Sequence, residues 1–418
     1  MTVDNGAPED HDPYEALRVR NFRLYAIGWF VLLIGTRIQS VAIGWDIYDR
    51  TGQVLALGLV GLIQAVPAIG LAIPAGYLAD RFRRRTVVMC SLVGATVTST
   101  ALCLVAFHEA PVRLMFVMLL LDAIALSMGR PARNALMPQL VPSRAFHNAV
   151  TWNASMFQIS SVIGPAIGGI LIAIESWMAY AVCAVASLAF IIILFRIDEG
   201  ARTRTTEPAS MRSLLAGLGY MRRNPTLLSI VTLDMFAVLL GGAVYLLPVY
   251  AKDILHVGAT GFGWLTSAPA VGALCMAVTV AHLRPMKNAG RNLLYAVAGF
   301  GLATIVFGIS KWFWLSWLML FMTGALDNIS VVVRHTMVQM LTPDSMRGRV
   351  SAINTIFISS SNELGGLESG LVAHCFGPVI SVVSGGIGTI LVVLLMAAGA
   401  PSIRRLGSIQ DAGVDEGN

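Results

Sequence analysis

Charge is what this chain has least of: 12% of its 418 residues are charged, against 56% that are hydrophobic. A soluble domain carries about 25% charged residues, so the chain lacks the means to cover a solvated surface. Cysteine is equally sparse. Cys90, Cys103, Cys183, Cys275 and Cys375 all sit in apolar segments and none has CxxC spacing, which favours small packing residues over disulfides or metal ligands. No Walker A sequence occurs, so ATP is not the direct energy source. There is no H-E-x-x-H or G-x-S-x-G either, and the seven histidines are scattered. No metal, cofactor or enzymatic activity is expected. Residues 1–13 lack an apolar stretch and are expected to be a disordered tail, not a signal peptide.

The apolar residues fall instead into twelve blocks of about 20 residues, long enough to span a hydrocarbon core of about 30 Å. The predicted spans are 22–45, 54–78, 86–107, 114–136, 147–174, 177–196, 226–250, 259–282, 292–310, 313–340, 348–373 and 378–399. Barrel strands would alternate in polarity over about ten residues, whereas runs such as Val182 to Leu194 are apolar on every face. The expected fold class is an all-α membrane protein. Interior Pro67, Pro74, Pro131, Pro248 and Pro269 are compatible with membrane helices, where neighbours satisfy the freed carbonyls.

The net charge of +6 is no nucleic-acid signal, because the basic residues are sorted by loop. Of 29 Lys and Arg, only Arg50, Arg113, Lys252 and Lys311 fall in one set of alternating loops. Arg37, Arg130, Arg133 and Arg334 lie within helices or at their ends, and the other twenty-one lie in the tails and the remaining loops. Lys and Arg accumulate on the cytoplasmic side. Both termini and the loops 80–85, 138–146, 197–225, 283–291 and 342–347 are therefore expected in the cytoplasm.

A long polar connection divides the helices six and six. The expected organisation is a disordered tail and juxtamembrane segment at 1–21, a six-helix bundle at 22–197, a cytoplasmic linker at 198–225, a second bundle at 226–399 and a tail at 400–418. The halves resemble each other. A shift of 201 places Arg133 on Arg334, Leu140 on Leu341, Pro142 on Pro343, Asn153 on Asn354, Ser160 on Ser361, Gly164 on Gly365 and Gly169 on Gly370. Arg20-Asn21-x-x-Leu24 echoes Arg223-Asn224-x-x-Leu227 just before helices one and seven. Parallel six-helix repeats are an architecture of secondary transporters.

The second helix ends Gly76-Tyr77-Leu78-Ala79-Asp80-Arg81-Phe82-Arg83-Arg84-Arg85. This resembles the G-x-L-x-D-R-x-G-R-R signature of the major facilitator superfamily, with Arg83 in place of the second glycine. Gly164-Pro165-Ala166-Ile167-Gly168-Gly169 in helix five is similar to the core of that family's antiporter motif. Arg133 to Pro142, Asn153 and the Gly-Pro pair resemble the bacterial branch with enterobactin exporters and macrolide-efflux relatives. The resemblance implies two pseudo-symmetric six-helix bundles around a cavity lined by helices one, four, seven and ten. It also implies a conformational contact from Asp80 to the start of helix eleven, here Thr342-Pro343-Asp344-Ser345. An Asp at a helix C-terminus is repelled by the macrodipole and needs a cationic partner. Arg81 and Arg84 are local candidates and Arg133 a distant one, while Arg83 to Arg85 also enforce topology.

Each of the four helices assigned to the cavity carries an interior charge: Arg37, Asp122, Asp234 and Asp327. They lie about 10–18 Å inside, at 1.5 Å per residue. Helices three, six, nine and twelve carry no comparable charge. Thr323, Asp327, Ser330 and Arg334 share one face of helix ten, and Asp122, Gly129, Arg130 and Arg133 form a similar stripe on helix four. Intramembrane ionisable residues mark transport pathways or pair internally, as Asp122 could with Arg37. Glu363, in helix eleven beside Asn354, Asn362 and Glu368, is a candidate proton carrier, because loss of water favours an uncharged carboxyl.

These features predict a secondary transporter of the bacterial inner membrane. The expected activity is proton-coupled export of an amphipathic small molecule, such as a drug or siderophore, by a functional monomer in the bilayer. Sodium coupling, an uptake symporter and a lysolipid flippase are alternatives on the same fold. A membrane-embedded enzyme or sensor would need a clustered catalytic set or a soluble domain.

Overall fold

In the computed structural model, residues 12–198, 211–283 and 288–399 are described, and their regular elements are all helical. The first half contains α1 (Arg20–Thr51), α2 (Val54–Gly70 and Ala72–Arg81), α3 (Arg84–Phe107), α4 (Val112–Leu136), α5 (Phe146–Ile174) and α6 (Ser176–Phe195). The second contains α7 (Pro225–Leu240, continued irregularly to Ile254), α8 (Gly258–His282), α9 (Ala289–Ile309), α10 (Phe313–Met340), α11 (Asp344–Phe376) and α12 (Pro378–Gly399). The packing partners repeat between halves. α1 lies on α5 and α6, α2 on α4, and α3 on α4 and α6; α7 lies on α11 and α12, α8 on α10, and α9 on α10 and α12.

Ten of these helices are long and apolar enough to cross a bilayer. α2 makes an eleventh when its segments, bent by 47°, are taken together. The bend has a covalent cause: Pro74 lacks the N–H that would bond the Gly70 carbonyl four residues back. α11, with 33 residues, has the length but not the hydropathy, because Asn354, Asn362, Glu363 and Glu368 dilute it. Its place in the bundle follows from packing against α2, α7 and α12.

One end of the bundle carries Arg81, Arg84, Arg85, Arg144, Arg222 and Arg223 and is called the basic end. The hydrophobic cores distinguish it from the far end. A single cluster at the far end joins the halves through residues such as Ile43, Ile47, Tyr180, Tyr250, Phe262 and Leu265. At the basic end each half has its own cores, one around Phe22, Leu92 and Phe190, others around Leu233, Val333 and Val350. The halves are thus fused at one end and separately packed at the other.

Two segments differ from expectation. Residues from Asp12, at the end of the expected tail, lie against the start of α5, and residues 1–11 lie outside the described residues. Glu15 pairs with Arg144, and the Pro13 carbonyl accepts from Asn148 and Trp152. The linker includes an amphipathic helix, Met211–Arg223. Its Met221 is buried against Leu227, Val338 and Val350, and the Tyr220 hydroxyl donates to the Leu341 carbonyl at 2.7 Å.

Candidate functional site

The interior charges do not assemble into one site: Asp122 and Asp327 line two cavities that share no residue, and Arg37, Asp234 and Arg334 line neither. The N-terminal cavity, about 150 Å³, lies among α1, α2 and α4 and is lined by Thr36, Gln39, Gln64, Asp122 and Arg130, among others. Asp122 is buried and accepts hydrogen bonds from Thr98 at 2.7 Å and Gln39 at 3.3 Å. Both oxygens are therefore engaged. No ion pair joins it to Arg37 among the described residues; Arg37 lies over the Phe157 ring at 4.8 Å.

The C-terminal cavity, about 170 Å³, is more aromatic: Tyr245, Phe300, Phe307, Thr323, Asp327 and Asn362 contribute to its wall. Asp327, Val238 and Phe300 also border a smaller void that reaches Asp234 and Ser330. Asp327 is half-buried, and no hydrogen bond or ion pair reaches it among the described residues. Asp234 on α7 and Arg334 on α10 form a buried ion pair, which Ser330 joins through a hydrogen bond to Asp234 at 3.4 Å. The shared face of α10 is thus split. Thr323 and Asp327 turn to the cavity, and Arg334 is tied to α7. The Glu363 side chain lies outside the described residues.

The repeat-related arginines have different surroundings. Arg334 has its acid, whereas Arg133 lies over the Trp29 ring at 4.6 Å. The basic run after α2 also makes specific contacts. Arg84 donates to the Ala135 carbonyl at 2.7 Å, at the end of α4, and Arg85 to the Ile197 carbonyl at 2.8 Å, beyond α6. Cations there satisfy terminal carbonyls and oppose the negative dipole end. Arg81 donates to the Tyr77 hydroxyl at 2.6 Å. Gly76 and Asp80 lie on the second segment of α2, which packs on α4; Asp344 and Ser345, in the expected contact, have side chains outside the described residues.

The Gly-Pro-x-x-Gly-Gly stretch sits at a junction of three helices. A Cβ on Gly164 would stand 2.4 Å from Arg37 Cβ, and one on Gly168 3.3 Å from Ile38 Cα, so both face α1. A Cβ on Gly169 would meet the Ala259 carbonyl at 2.7 Å and Gly263 Cα at 2.8 Å on α8. Gly263 in turn lies against the Pro165 carbonyl. The repeat partner Gly370 does the same on α11, where a Cβ would be 2.7 Å from Gly58 Cα on α2. Both crossings between the halves at the far end are therefore glycine on glycine.

That seal has a polar rim which sequence reasoning missed. The Tyr48 hydroxyl donates to Asp253, Lys252 pairs with Asp49 at 2.8 Å, and Trp45 stacks on Phe262 with ring centres 5.6 Å apart. The available signal was a polar pair at the end of each facing helix, Tyr48-Asp49 and Lys252-Asp253.

This architecture agrees with the comparisons to known proteins. The model of the transmembrane secretion effector family, a branch of the major facilitator superfamily, matches residues 11–407. The chain belongs to that family. Enterobactin exporters EntS from Escherichia coli O1:K1 and Shigella boydii serotype 18 are 27% identical over 388 residues, covering 92% of this chain and of each relative. A bacterial homologue of the lysosomal transporter Spinster, solved inward-facing and unoccupied, superposes with a TM-score of 0.70 at 14% identity, covering 97% of this chain and 99% of that one. A POT family transporter superposes at 0.74 and 12% identity, covering 92% and 97%. As a family member the chain is a multi-pass membrane transporter of the major-facilitator type and not an enzyme.

Proposed function

We propose that this transporter exports amphipathic, aromatic-containing small molecules by alternating access, in exchange for protons. The basic end is assigned to the cytoplasm, because Lys and Arg are retained there, and the protein to the bacterial inner membrane, as a monomer. The fused far end and separate basic-end cores support a state open to the cytoplasm. The observation that carries the reading is Asp327: a carboxyl with no hydrogen-bonding partner among the described residues, on the wall of a cavity that also offers Tyr245, Phe300 and Phe307. Apolar aromatic walls with a few polar groups suit a drug-sized amphipathic ligand, and the relatives named enterobactin exporters point to a siderophore. Asp327 is the leading proton carrier. It can bind a proton without giving up an existing ion pair, whereas Asp234 cannot. Asp122, Arg37 and the Asp234–Arg334 pair hold the surrounding helices, and Glu363 is a second proton candidate.

The test is reconstitution in proteoliposomes with catecholate siderophores and amphipathic drugs as trial cargo. An imposed proton gradient is expected to drive accumulation, with proton flux that depends on cargo. Accumulation that follows a sodium gradient and ignores pH would overturn the coupling. Uptake from the far side alone would overturn the direction.

A further inference from the structure

The N-terminal cavity carries more hydrogen-bonding capacity than its own side chains consume. At its floor Gln39, only 3% exposed, donates through Nε2 to Asp122 at 3.3 Å, which turns Oε1 away from the carboxylate. The reverse orientation of the amide would set acceptor against acceptor. Gln39 Oε1 is itself buried, with no hydrogen-bond partner among the described residues. A buried acceptor without a donor is costly, so the floor calls for an O–H or N–H from an occupant. Ser40, Gln64 and Ser127 bring polar groups to the walls from α1, α2 and α4, and none of them makes a hydrogen bond among the described residues.

The mouth calls for the opposite kind of group. Arg130 lines it and is exposed, with no hydrogen bond or ion pair among the described residues. It stands eight residues beyond Asp122 on α4, about 12 Å nearer the basic end at 1.5 Å per residue. A guanidinium offers donors only and matches a carboxylate in a paired, charge-assisted geometry. Between floor and mouth, Ile43, Leu119 and Leu126 supply apolar wall. The volume of about 150 Å³ falls below the roughly 300 Å³ that a drug-sized ligand needs, and a cavity of this size holds a single six-membered ring. The C-terminal cavity has no Lys or Arg among its described lining residues. An anionic group is thus accommodated on the N-terminal side alone.

We propose that the N-terminal cavity binds a hydroxylated aromatic carboxylate, free or as one group of a larger molecule, with its hydroxyl donating to Gln39 Oε1 and its carboxylate at Arg130. Asp122 acts as a positioning residue that fixes the Gln39 amide. That this group belongs to the exported cargo rests on the function proposed above, whereas binding at the cavity stands without it. The test is isothermal titration calorimetry of the full-length protein in detergent with 4-hydroxybenzoate, benzoate and methyl 4-hydroxybenzoate. 4-Hydroxybenzoate is expected to bind with a Kd of about 10 mM or tighter, the scale for about ten non-hydrogen atoms. Benzoate, which lacks the donor, and the methyl ester, which lacks the charge, are each expected to bind about tenfold more weakly. Arg130→Gln is expected to weaken 4-hydroxybenzoate by about fivefold or more and to leave the ester unchanged, a split that general loosening of the fold would not give. Gln39→Met is expected to bring 4-hydroxybenzoate down to the level of benzoate. Should Gln39→Met fail to fold, the wild-type comparison with benzoate still decides the floor, and Arg130→Gln, at an exposed position, decides the mouth. Equal affinity for the three probes, unchanged binding in Arg130→Gln, or no binding at about 10 mM would each overturn the proposal, the last by leaving the cavity to water. Intact binding without transport would overturn the export reading alone.

Discussion

The two halves share one packing plan but hold their interior charges differently. In the first half Asp122 is satisfied by Thr98 and Gln39, and Arg133 rests on an aromatic ring. In the second, Arg334 has taken Asp234 as its partner and Asp327 is left facing a cavity. A repeat that preserves helix contacts thus holds its acids in two ways. One half engages both oxygens of its interior carboxyl in hydrogen bonds, and the other pairs one acid with arginine and leaves a second on a cavity wall, with no hydrogen bond to it among the described residues.

The largest expected effect tests this asymmetry directly. Asp327→Asn mimics the protonated form permanently, so gradient-driven accumulation in proteoliposomes should fall by about tenfold or more, as expected for loss of a functional intramembrane acid. Cargo exchange without a gradient should survive, because exchange needs no net proton movement. Asp122→Asn should do much less, since an amide oxygen still accepts from Thr98. Equal losses from both, or a greater loss from Asp122→Asn, would break the comparison.

The arginines give the next largest effect, on stability. Asp234→Asn strands a buried guanidinium and should cost about 3–5 kcal/mol, the usual penalty for breaking a buried pair. Arg133→Met should cost about 2 kcal/mol or less, the scale of a desolvated cation–π contact. Thermal unfolding in detergent measures both. The double change Asp234→Asn/Arg334→Met should recover much of the first loss, because no uncompensated charge remains. Similar penalties at Asp234 and Arg133 would mean that the halves hold their arginines equally tightly.

Much of this was legible in the sequence, for identifiable reasons. Helix positions follow from apolar run length, which the bilayer dictates, and Asp122, Asp234, Asp327 and Arg334 stand out because a charge in such a run is costly. Their partners were not legible. Asp122 finds Thr98 on the preceding helix α3 and Gln39 on α1, contacts that depend on which faces of these helices meet, and the pairing of Arg334 with Asp234 in place of Asp327 depends on how α7 and α10 are rotated. The helix expected at 348–373 is found as α11, but its polar side chains keep it below the hydropathy of a crossing helix, and its packing against α2, α7 and α12 was not legible. The ordered segment from Asp12 and the linker helix escaped because their apolar contacts are few and lie on one face.

The glycine crossings test whether the halves are equivalent where they meet. An added methyl at Gly169 or Gly370 overlaps backbone on the facing helix, and overpacking of this kind costs about 1–3 kcal/mol. Because the clash exists only while the far end is closed, Gly169→Ala and Gly370→Ala should each shift the population towards far-end opening by about 5–150-fold. Spin labels at Gln53 and His256 would report it as a longer distance. A shift from one variant and none from the other would show that the two crossings, though repeat-related, bear the seal unequally.

The smallest expected effect lies at the rim of the same seal, where the halves contribute opposite charges. Lys252 and Asp49 are both partly exposed, at 38% and 49% of their side-chain surface, so water screens their attraction and the pair is worth about 0–1 kcal/mol. Tyr48 is buried and donates to Asp253; a hydrogen bond to a charged acceptor is worth about 1.5–3 kcal/mol. Tyr48→Phe should therefore favour far-end opening more than Lys252→Met does. Salt should separate the two further. Raising ionic strength from low to about 1 M shortens the screening length to about 3 Å and should erase the effect of Lys252→Met while leaving most of that of Tyr48→Phe. The same pair of spin labels measures both. If Lys252→Met opens the far end as much as Tyr48→Phe, and does so at high salt, the ion pair is better shielded than its exposure indicates and the seal is electrostatic at its rim. If neither variant moves the distance, the seal rests on its apolar contacts: the glycine crossings, the Trp45–Phe262 stack and the cluster around Ile43, Ile47 and Leu265.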